Sequence, residues 1–365
     1  MLEFIAKGGI FCRAADTVAT SELPFSAVAE GLVRKQETVM GLRIAACLSM
    51  FSGCPDRFCP QGYRDPLRIS DRIGVLSKIK GIEGVEVAQT DVTPELSAKE
   101  LRRLLKDSNL VCSGVAANLA QDRRFALSAF GHQHPKTRNA AVDEGRKAVD
   151  IARQLGADTV TLRLYTDGFD YPFHIDYAIH WNTVISSIKT IAKYASPDIN
   201  IAVAYKPREP RKFLTVSSVG KALSLCQEIA MKNVGVALHF AHSLMAGENP
   251  AESAAFLARS NKLFQMYMGE CYRLWDDMMI PGTVHVWDLM ETLFYLKTTK
   301  YKGFVTLDML PQQIDPAQAC QIAVGNLLIF AKKLEKLDSI ELRKAQRTLD
   351  AVETQKIIRR VMVQG

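Results

Sequence analysis

The feature of this sequence that most constrains its fold is an alternation of short apolar runs with amphipathic segments, which begins near residue 41 and repeats eight times. The runs consist mostly of Val, Ile, Leu and Ala, as expected of strands that are buried on both faces. The predicted strands are Leu42–Leu48, Ile82–Ala88, Leu110–Ala116, Thr159–Leu164, Ile199–Ala204, Val234–His239, Leu263–Met268 and Phe304–Asp308.

Amphipathic helices are predicted between the strands. In Ala140–Leu155 the apolar residues form one stripe at helical spacing, and Gly156 directly after it is typical of a helix end. The other predicted helices are Tyr177–Tyr194, Val219–Met231, Ala251–Ser260, Val286–Thr299 and Pro316–Leu334. Strands that alternate with helices pair in parallel through right-handed crossovers, and eight repeats favour a closed barrel over an open sheet. We therefore predict an α/β fold, a (β/α)8 TIM barrel over residues 41–335, with an N-terminal extension (residues 1–40) and a C-terminal helical tail (residues 336–365).

The composition excludes several classes of protein. With 48% hydrophobic and 23% charged residues, the chain is globular rather than disordered. No apolar stretch approaches the roughly 18 residues of a membrane span, and Glu3, Lys7 and Arg13 interrupt the N-terminus where a secretory signal needs an unbroken apolar core. The net charge of +7 is spread along the chain without a nucleic-acid-binding motif. We expect a cytoplasmic protein that binds neither membranes nor nucleic acids.

Polar residues follow the last four predicted strands. Lys206 comes just after strand five, His239 and His242 lie at and beyond the end of strand six, Arg273 follows strand seven, and Asp308 ends strand eight. In barrels of this kind the functional residues lie at the carboxyl ends of the strands. We therefore predict that these five side chains converge at one mouth of the barrel.

Several segments near these residues carry a resemblance to a known family. They are "DRFCPQGYR" after strand one, "DGFDYPF" after strand four, "YKPREPR" after strand five, "AHSLMAGENPAES" after strand six and "YRLWDDMMIPGTVH" after strand seven. In order and spacing, the sequence from about Leu42 to Leu334 resembles the xylose-isomerase-like barrel family of sugar isomerases and epimerases. The segments are most similar to the branch that contains the large subunits of bacterial C-glycoside deglycosidases.

The resemblance implies a divalent metal, Mn²⁺ or Mg²⁺, held by a Glu, an Asp, a His and a carboxylate at the ends of strands five to eight. At these positions this sequence has Ala204, His239, Tyr267 and Asp308. Alanine cannot ligate a metal, and tyrosine is a poor ligand at neutral pH because its pKa is near 10. We therefore expect the family's metal site to be absent or rebuilt with fewer protein ligands, of which His239 and Asp308 are the candidates.

The resemblance also implies roles in substrate binding. His242 matches a substrate-binding histidine of the family, Arg273 matches a substrate-binding arginine, and Lys206 matches a lysine that lines the site. Glu270 stands where the family often has a carboxylate. His134, in the loop after strand three, is a further candidate for reaching the cavity.

Each of these residues also has a structural interpretation. Lys206 is compatible with a solvated loop position, Arg273 with a salt bridge to its charged neighbours, and His239 with a hydrogen-bonded histidine in a metal-free pocket. The segment Trp275–Asp277 is interpreted as loop packing.

Three functions remain open. The first is a sugar-active enzyme, namely an isomerase, an epimerase or a deglycosidase-like lyase that removes a proton next to a sugar carbonyl. His239 or His242 is then the base, and Lys206 or Arg273 stabilises the oxyanion. The second is a non-catalytic subunit of a heteromeric complex, and the third is a repurposed barrel in a biosynthetic pathway. The expected ligand is a sugar or a glycoside.

Apolar residues outside the predicted barrel indicate assembly. Leu2 and Phe4 in the extension, and Ile340, Leu342 and Leu349 in the tail, are examples. Burial of such a side chain is worth about 1.5–3 kcal/mol, so these residues favour contact with a protein surface. Deglycosidases of the resembling branch work with a small second subunit. We therefore expect an oligomer, either of identical chains or with such a partner.

Overall fold

Eight parallel strands surround one axis in the computed structural model, which describes residues 41–363. The strands are β1 (Arg43–Cys47), β2 (Ile82–Ala88), β3 (Val111–Asn118), β4 (Thr159–Arg163), β5 (Asn200–Ala204), β6 (Val234–His239), β7 (Leu263–Met268) and β8 (Phe304–Leu307). Each strand pairs in parallel with the next, and β8 pairs with β1 to close the barrel. The predicted (β/α)8 barrel is confirmed, and every predicted strand is present within two residues of its predicted bounds.

Helices follow the strands and cover the outside of the barrel. They are α1 (Ile69–Leu76), α2 (Ala98–Asp107), α3 (Pro135–Leu155), α4 (Tyr177–Ala195), α5 (Val219–Ile229), α6 (Phe240–Met245), α7 (Pro250–Arg259), α8 (Val286–Thr298), α9 (Pro316–Glu335), α10 (Ser339–Arg347) and α11 (Ala351–Val363). The helix α3 begins with a proline, whose fixed φ suits the first helical position, and ends before Gly156 at φ +77°. No helix among the described residues combines the length and apolar character needed to cross a bilayer.

Several features of the described chain have no counterpart in the sequence-based prediction. They include the short helices α1, α2 and α6. The helix α2 is recognisable by a capping box in which Ser97 and Glu100 each accept a hydrogen bond from the other's backbone amide. A further feature is an antiparallel pair of short strands, Gly168–Phe169 and Phe213–Leu214. This pair joins the loops that follow β4 and β5, on the side of the barrel where the strands end.

The described part of the tail packs against the last helix of the barrel. Leu342, Ile357 and Val361 are buried with the core residues, and Lys333 in α9 donates a hydrogen bond to the carbonyl of Met362 over 2.9 Å. The tail therefore buries part of its apolar surface within its own chain. The predicted extension, residues 1–40, lies outside the described residues.

The close approach of β6 and β7 gives a test of the barrel packing. A Cβ atom added at Gly235 in β6 would lie 2.4 Å from the ring of Phe264 in β7, whereas one added at Gly74 in α1 meets no atom within 4 Å. We expect Gly235→Ala to lower the free energy of unfolding by about 1–3 kcal/mol through overpacking. The control Gly74→Ala should leave stability unchanged or raise it by up to about 1 kcal/mol, since alanine favours the helix. Urea unfolding of both variants measures this, and equal stabilities would contradict the packing described.

Candidate active site

Buried charged and polar side chains meet at the carboxyl end of the barrel. Glu86, Arg163, His239 and Tyr267 lie on β2, β4, β6 and β7, and Asp308 follows β8 directly. Parallel strands bring all five to the same end because every strand runs in the same direction. Charged residues are seldom this deeply buried unless they are paired, so their partners define the site.

The first cluster is centred on Arg163. Its Nη2 atom lies 2.9 Å from Oε1 of Glu86 and 3.0 Å from Oδ2 of Asp308. Tyr267 reaches across the barrel, donates a hydrogen bond to Oε2 of Glu86, and places its hydroxyl 2.8 Å from Oγ1 of Thr161. Burial alone would lower the pKa of Arg163, but Asp308 and Glu86 raise it well above its ordinary value. The cluster is therefore a permanently charged guanidinium between two carboxylates.

The second cluster is centred on Asp276. Its Oδ2 atom lies 2.8 Å from Nζ of Lys206 and 3.0 Å from Nε2 of His242. Burial alone would raise the pKa of Asp276, but Lys206 and His242 hold it well below its ordinary value. The Nδ1 atom of His242 faces the carbonyl of Tyr205 at 3.1 Å, so both ring nitrogens face acceptors. Lys206 also pairs with Glu209 over 3.2 Å.

His239 joins the two clusters. Its ring stacks on that of His242 with the centroids 4.0 Å apart, and its Nε2 atom lies 3.7 Å from Oδ2 of Asp308. Nδ1 accepts a hydrogen bond from the backbone amide of Ala241, which places the proton of the neutral ring on Nε2. Burial lowers the pKa of His239 well below its ordinary value, and His242 lowers it further. His239 is therefore a neutral donor at neutral pH.

Four buried polar atoms in these clusters have no hydrogen-bond partner among the described residues. They are Nε2 of His239, Oδ1 of Asp308 and Oδ1 of Asp276, and Nε of Arg163 is a fourth. Buried polar groups in native proteins are nearly always hydrogen-bonded. Two donors and two acceptors thus remain available to a ligand with both carbonyl and hydroxyl oxygens.

The structure brings together four of the predicted site residues, namely Lys206, His239, His242 and Asp308. The three residues Arg273, Glu270 and His134, which were predicted to bind substrate, lie outside these clusters. Arg273 is half exposed and contacts His285 and Asp288. Glu270 is fully buried and binds the ring and backbone amide of His285, which fastens the loop after β7. His134 is exposed at the start of α3. Arg273 and Glu270 have their partners in the loop after β7 and in α8 rather than in the clusters.

Sequence reasoning missed Glu86, Arg163 and Asp276. A signal was present for the first two, because a charged residue inside an otherwise apolar buried strand requires a partner. Asp276 was interpreted as loop packing, and only the folded loop carries it back to Lys206 and His242.

The described residues do not fit the metal site that the resemblance implies. Ala204 supplies no donor atom, the Tyr267 hydroxyl is bound to Glu86, and Asp308 is paired with Arg163. Across residues 41–363 no three His, Cys, Asp or Glu side chains are grouped in a way that suits a metal ion. A charged guanidinium stands beside the one acidic residue that the family pattern retains.

Comparison with known proteins agrees with this fold. The family described as the xylose isomerase-like TIM barrel matches residues 75–325, more than half of the chain. The chain belongs to the xylose isomerase-like TIM barrel family. The xylose isomerase of Thermus caldophilus is 23% identical over 252 residues, which cover 66% of this chain and 64% of that protein. This family member therefore spans less than two thirds of the length of that relative.

Solved structures share the barrel. The 3-keto-D-glucoside 4-epimerase of E. coli superposes with a TM-score of 0.63 at 14% identity, covering 78% of this chain and 98% of the epimerase. The D-psicose 3-epimerase of Clostridium cellulolyticum H10 gives a TM-score of 0.62 at 14% identity, covering 80% of this chain and 100% of the epimerase. Identities this low establish the common fold and leave the chemistry to the site residues.

A separate cavity of about 540 Å³ lies at the opposite, amino-terminal end of the barrel. Arg43, Ser113, Asp158 and Gln265 are among the residues that line it. We place the active site at the carboxyl end, where the acid, base and cationic groups meet and where barrels of this type carry their chemistry.

The neutral state of His239 predicts a pH dependence of stability. The unfolded chain binds a proton on this residue below about pH 6.5 and the folded chain does not, so stability is complete above that pH and falls as the pH decreases. The contribution to the slope of the unfolding free energy approaches about 1.4 kcal/mol per pH unit. We expect His239→Gln to reduce the slope between about pH 5 and 6.5, and the exposed control His134→Gln to keep it. Denaturant unfolding at several pH values measures both slopes, and identical slopes in all three proteins would contradict a neutral His239.

Proposed function

We propose that this protein is a sugar-active enzyme that transfers a proton at the carbon next to a carbonyl group, in an isomerisation or epimerisation. The observation that carries the proposal is the set of unpartnered polar atoms on His239, Asp308 and Asp276, which offers a donor and two acceptors at the mouth of the barrel. An α-hydroxycarbonyl compound presents the complementary groups. The relatives include xylose isomerases and the structural neighbours include sugar epimerases, which supports the same substrate class.

The geometry favours Asp308 as the base and His239 as the acid. Oδ1 of Asp308 is an unpartnered acceptor, and Nε2 of His239 bears a proton 3.7 Å from the other oxygen of the same carboxylate. Asp308 takes the proton from carbon, the C–H electron pair forms the C=C bond of the enolate, and the carbonyl electron pair moves to oxygen. His239 donates to that oxygen. Protonation of the same carbon on its opposite face by a proton from solvent gives the epimer. Return of the proton from Asp308 to the former carbonyl carbon, while the neighbouring hydroxyl gives its proton back to His239 and becomes the carbonyl, gives the isomer.

This assignment changes the roles expected from the sequence. His242 is unsuited to act as the base because both of its nitrogens face acceptors. Lys206 is held by Asp276 and Glu209, so it fixes the charge of Asp276. Arg273 is bound by Asp288 and His285, so we do not assign it to stabilising the oxyanion.

A C-glycoside deglycosidase-like lyase uses the same first step. An enolate formed beside an oxidised sugar carbon then expels the aglycone, and the aglycone leaves with the electron pair of the broken bond. The resemblance of the loop segments after β4 to β7 supports this finer proposal. The alternative function is a non-catalytic subunit of a heteromeric complex. The observation that favours it is the departure from the family's ligand pattern at Ala204 and Tyr267.

Proton exchange with solvent tests the proposal and separates it from the non-catalytic alternative. The purified chain is incubated in D2O with aldopentoses, ketohexoses and 3-keto-glucosides, and deuterium at the carbon next to the carbonyl is followed by NMR. We expect exchange with at least one substrate, and a loss of about 10²–10⁴-fold in Asp308→Asn. His134→Gln should retain the wild-type rate. Absence of exchange with every substrate, or full activity of Asp308→Asn, would contradict the proposal.

We further propose that the chain is an oligomer through its tail. Ile340 is 76% exposed and Leu349 is 89% exposed, although their neighbours Leu342 and Ile357 are buried. We expect a mass above the 40.5 kDa of one chain in light scattering at micromolar concentration, and a lower mass for the double variant Ile340→Gln, Leu349→Asn. Asparagine suits position 349 because its φ is +55°. A monomer in both proteins would contradict the proposal.

A further inference from the structure

The Glu86–Arg163–Asp308 cluster occupies the part of the site where the family pattern places its cation. Asp308 stands at the ligand position that this sequence retains, and its Oδ2 atom contacts Nη2 of Arg163 at 3.0 Å. The same nitrogen contacts Glu86 at 2.9 Å, and the guanidinium lies 5.2 Å from the centre of the Tyr267 ring. The carboxylates are 3% exposed and Arg163 is 11% exposed. One guanidinium and two carboxyl groups are thus enclosed together.

A divalent cation and this guanidinium exclude each other. One oxygen of each carboxylate is already engaged by Nη2 of Arg163, because Oε1 of Glu86 accepts a hydrogen bond from it and Oδ2 of Asp308 is ion-paired with it. Displacing the guanidinium would leave a buried positive charge without its partners, and adding a metal beside it would place like charges within a few ångströms in a buried site. His239 is the other candidate ligand. Its Nδ1 atom accepts a hydrogen bond from the backbone amide of Ala241, so the proton of the neutral ring occupies Nε2, where a metal would otherwise bind.

We propose that Arg163 is the permanent internal cation of this active site and takes the place of the family's divalent metal. Its Nε–H is buried and unpartnered among the described residues, so the guanidinium keeps a donor for a carbonyl or enolate oxygen. Its action on the substrate rests on the proposed function, whereas its exclusion of metal does not. The ligand class is therefore an oxygen anion or a polarised carbonyl of a small hydroxycarbonyl compound.

Manganese titration tests the exclusion without any substrate. Free Mn²⁺ is measured by its EPR signal in the presence of the wild type, Arg163→Met, Arg163→Lys and the exposed control Arg273→Met. We expect weak or undetectable binding by the wild type, Arg163→Lys and Arg273→Met. Arg163→Met releases Glu86 and Asp308, and we expect it to bind Mn²⁺ at least about 100-fold more tightly than the wild type, since the repelling charge is gone.

Each outcome decides the proposal. Stoichiometric, micromolar or tighter Mn²⁺ binding by the wild type would overturn it, as would a folded Arg163→Met that binds no more tightly than Arg273→Met. If Arg163→Met does not fold, as judged by circular dichroism, tight Mn²⁺ binding by the wild type or by Arg163→Lys overturns the proposal, and its absence in both upholds it. Solvent proton exchange that is lost in EDTA and restored by Mn²⁺ would also overturn it. If the wild type excludes Mn²⁺ but catalyses no proton exchange with solvent, the result counts against the proposed function and leaves the metal exclusion standing.

Discussion

The structure of this site depends on a guanidinium buried between two carboxylates. Arg163 on β4 joins Glu86 on β2 to Asp308 after β8, three strand ends that are not neighbours in the barrel. Removing one member of a buried ion pair typically costs about 3–5 kcal/mol because a charge is left without compensation. The cluster therefore fixes the relative positions of these three strand ends. It also places the Arg163 guanidinium and its two carboxylates beside the other polar groups of the site.

The state of His239 follows from its position between the two clusters. Burial lowers the pKa of His239, and His242, Arg163 and Lys206 lower it further against the opposing effect of Asp276, so the ring stays neutral. The backbone amide of Ala241 then selects the Nε2 proton, which lies toward Asp308. A neutral donor beside an ionised acceptor is the arrangement that proton transfer at a carbonyl compound requires. Asp276 keeps Lys206 and His242 in place and leaves His239 as the free donor.

Membership of the xylose isomerase-like family explains the barrel and the location of the site, but not the chemistry. A barrel presents the ends of eight strands to one cavity, so exchanging a few side chains changes the reaction without changing the fold. Here Ala204 and Tyr267 stand at two expected ligand positions, and Tyr267 supports Glu86 through its hydroxyl. The same scaffold thus carries an arginine-centred site where the resemblance implies a metal-centred one.

The sequence by itself determined the strands, most helices and the end of the barrel at which the polar residues lie. Apolar runs and helical stripes are local patterns, and parallel closure then places Lys206, His239, His242 and Asp308 at one mouth. Only the tertiary structure decided how these residues pair. Glu86 and Arg163 are 77 residues apart and Lys206 and Asp276 are 70 residues apart, and Arg273 and Glu270 lie at the predicted end but turn to His285. Such pairings depend on barrel closure and on the path of each loop, which no local pattern encodes.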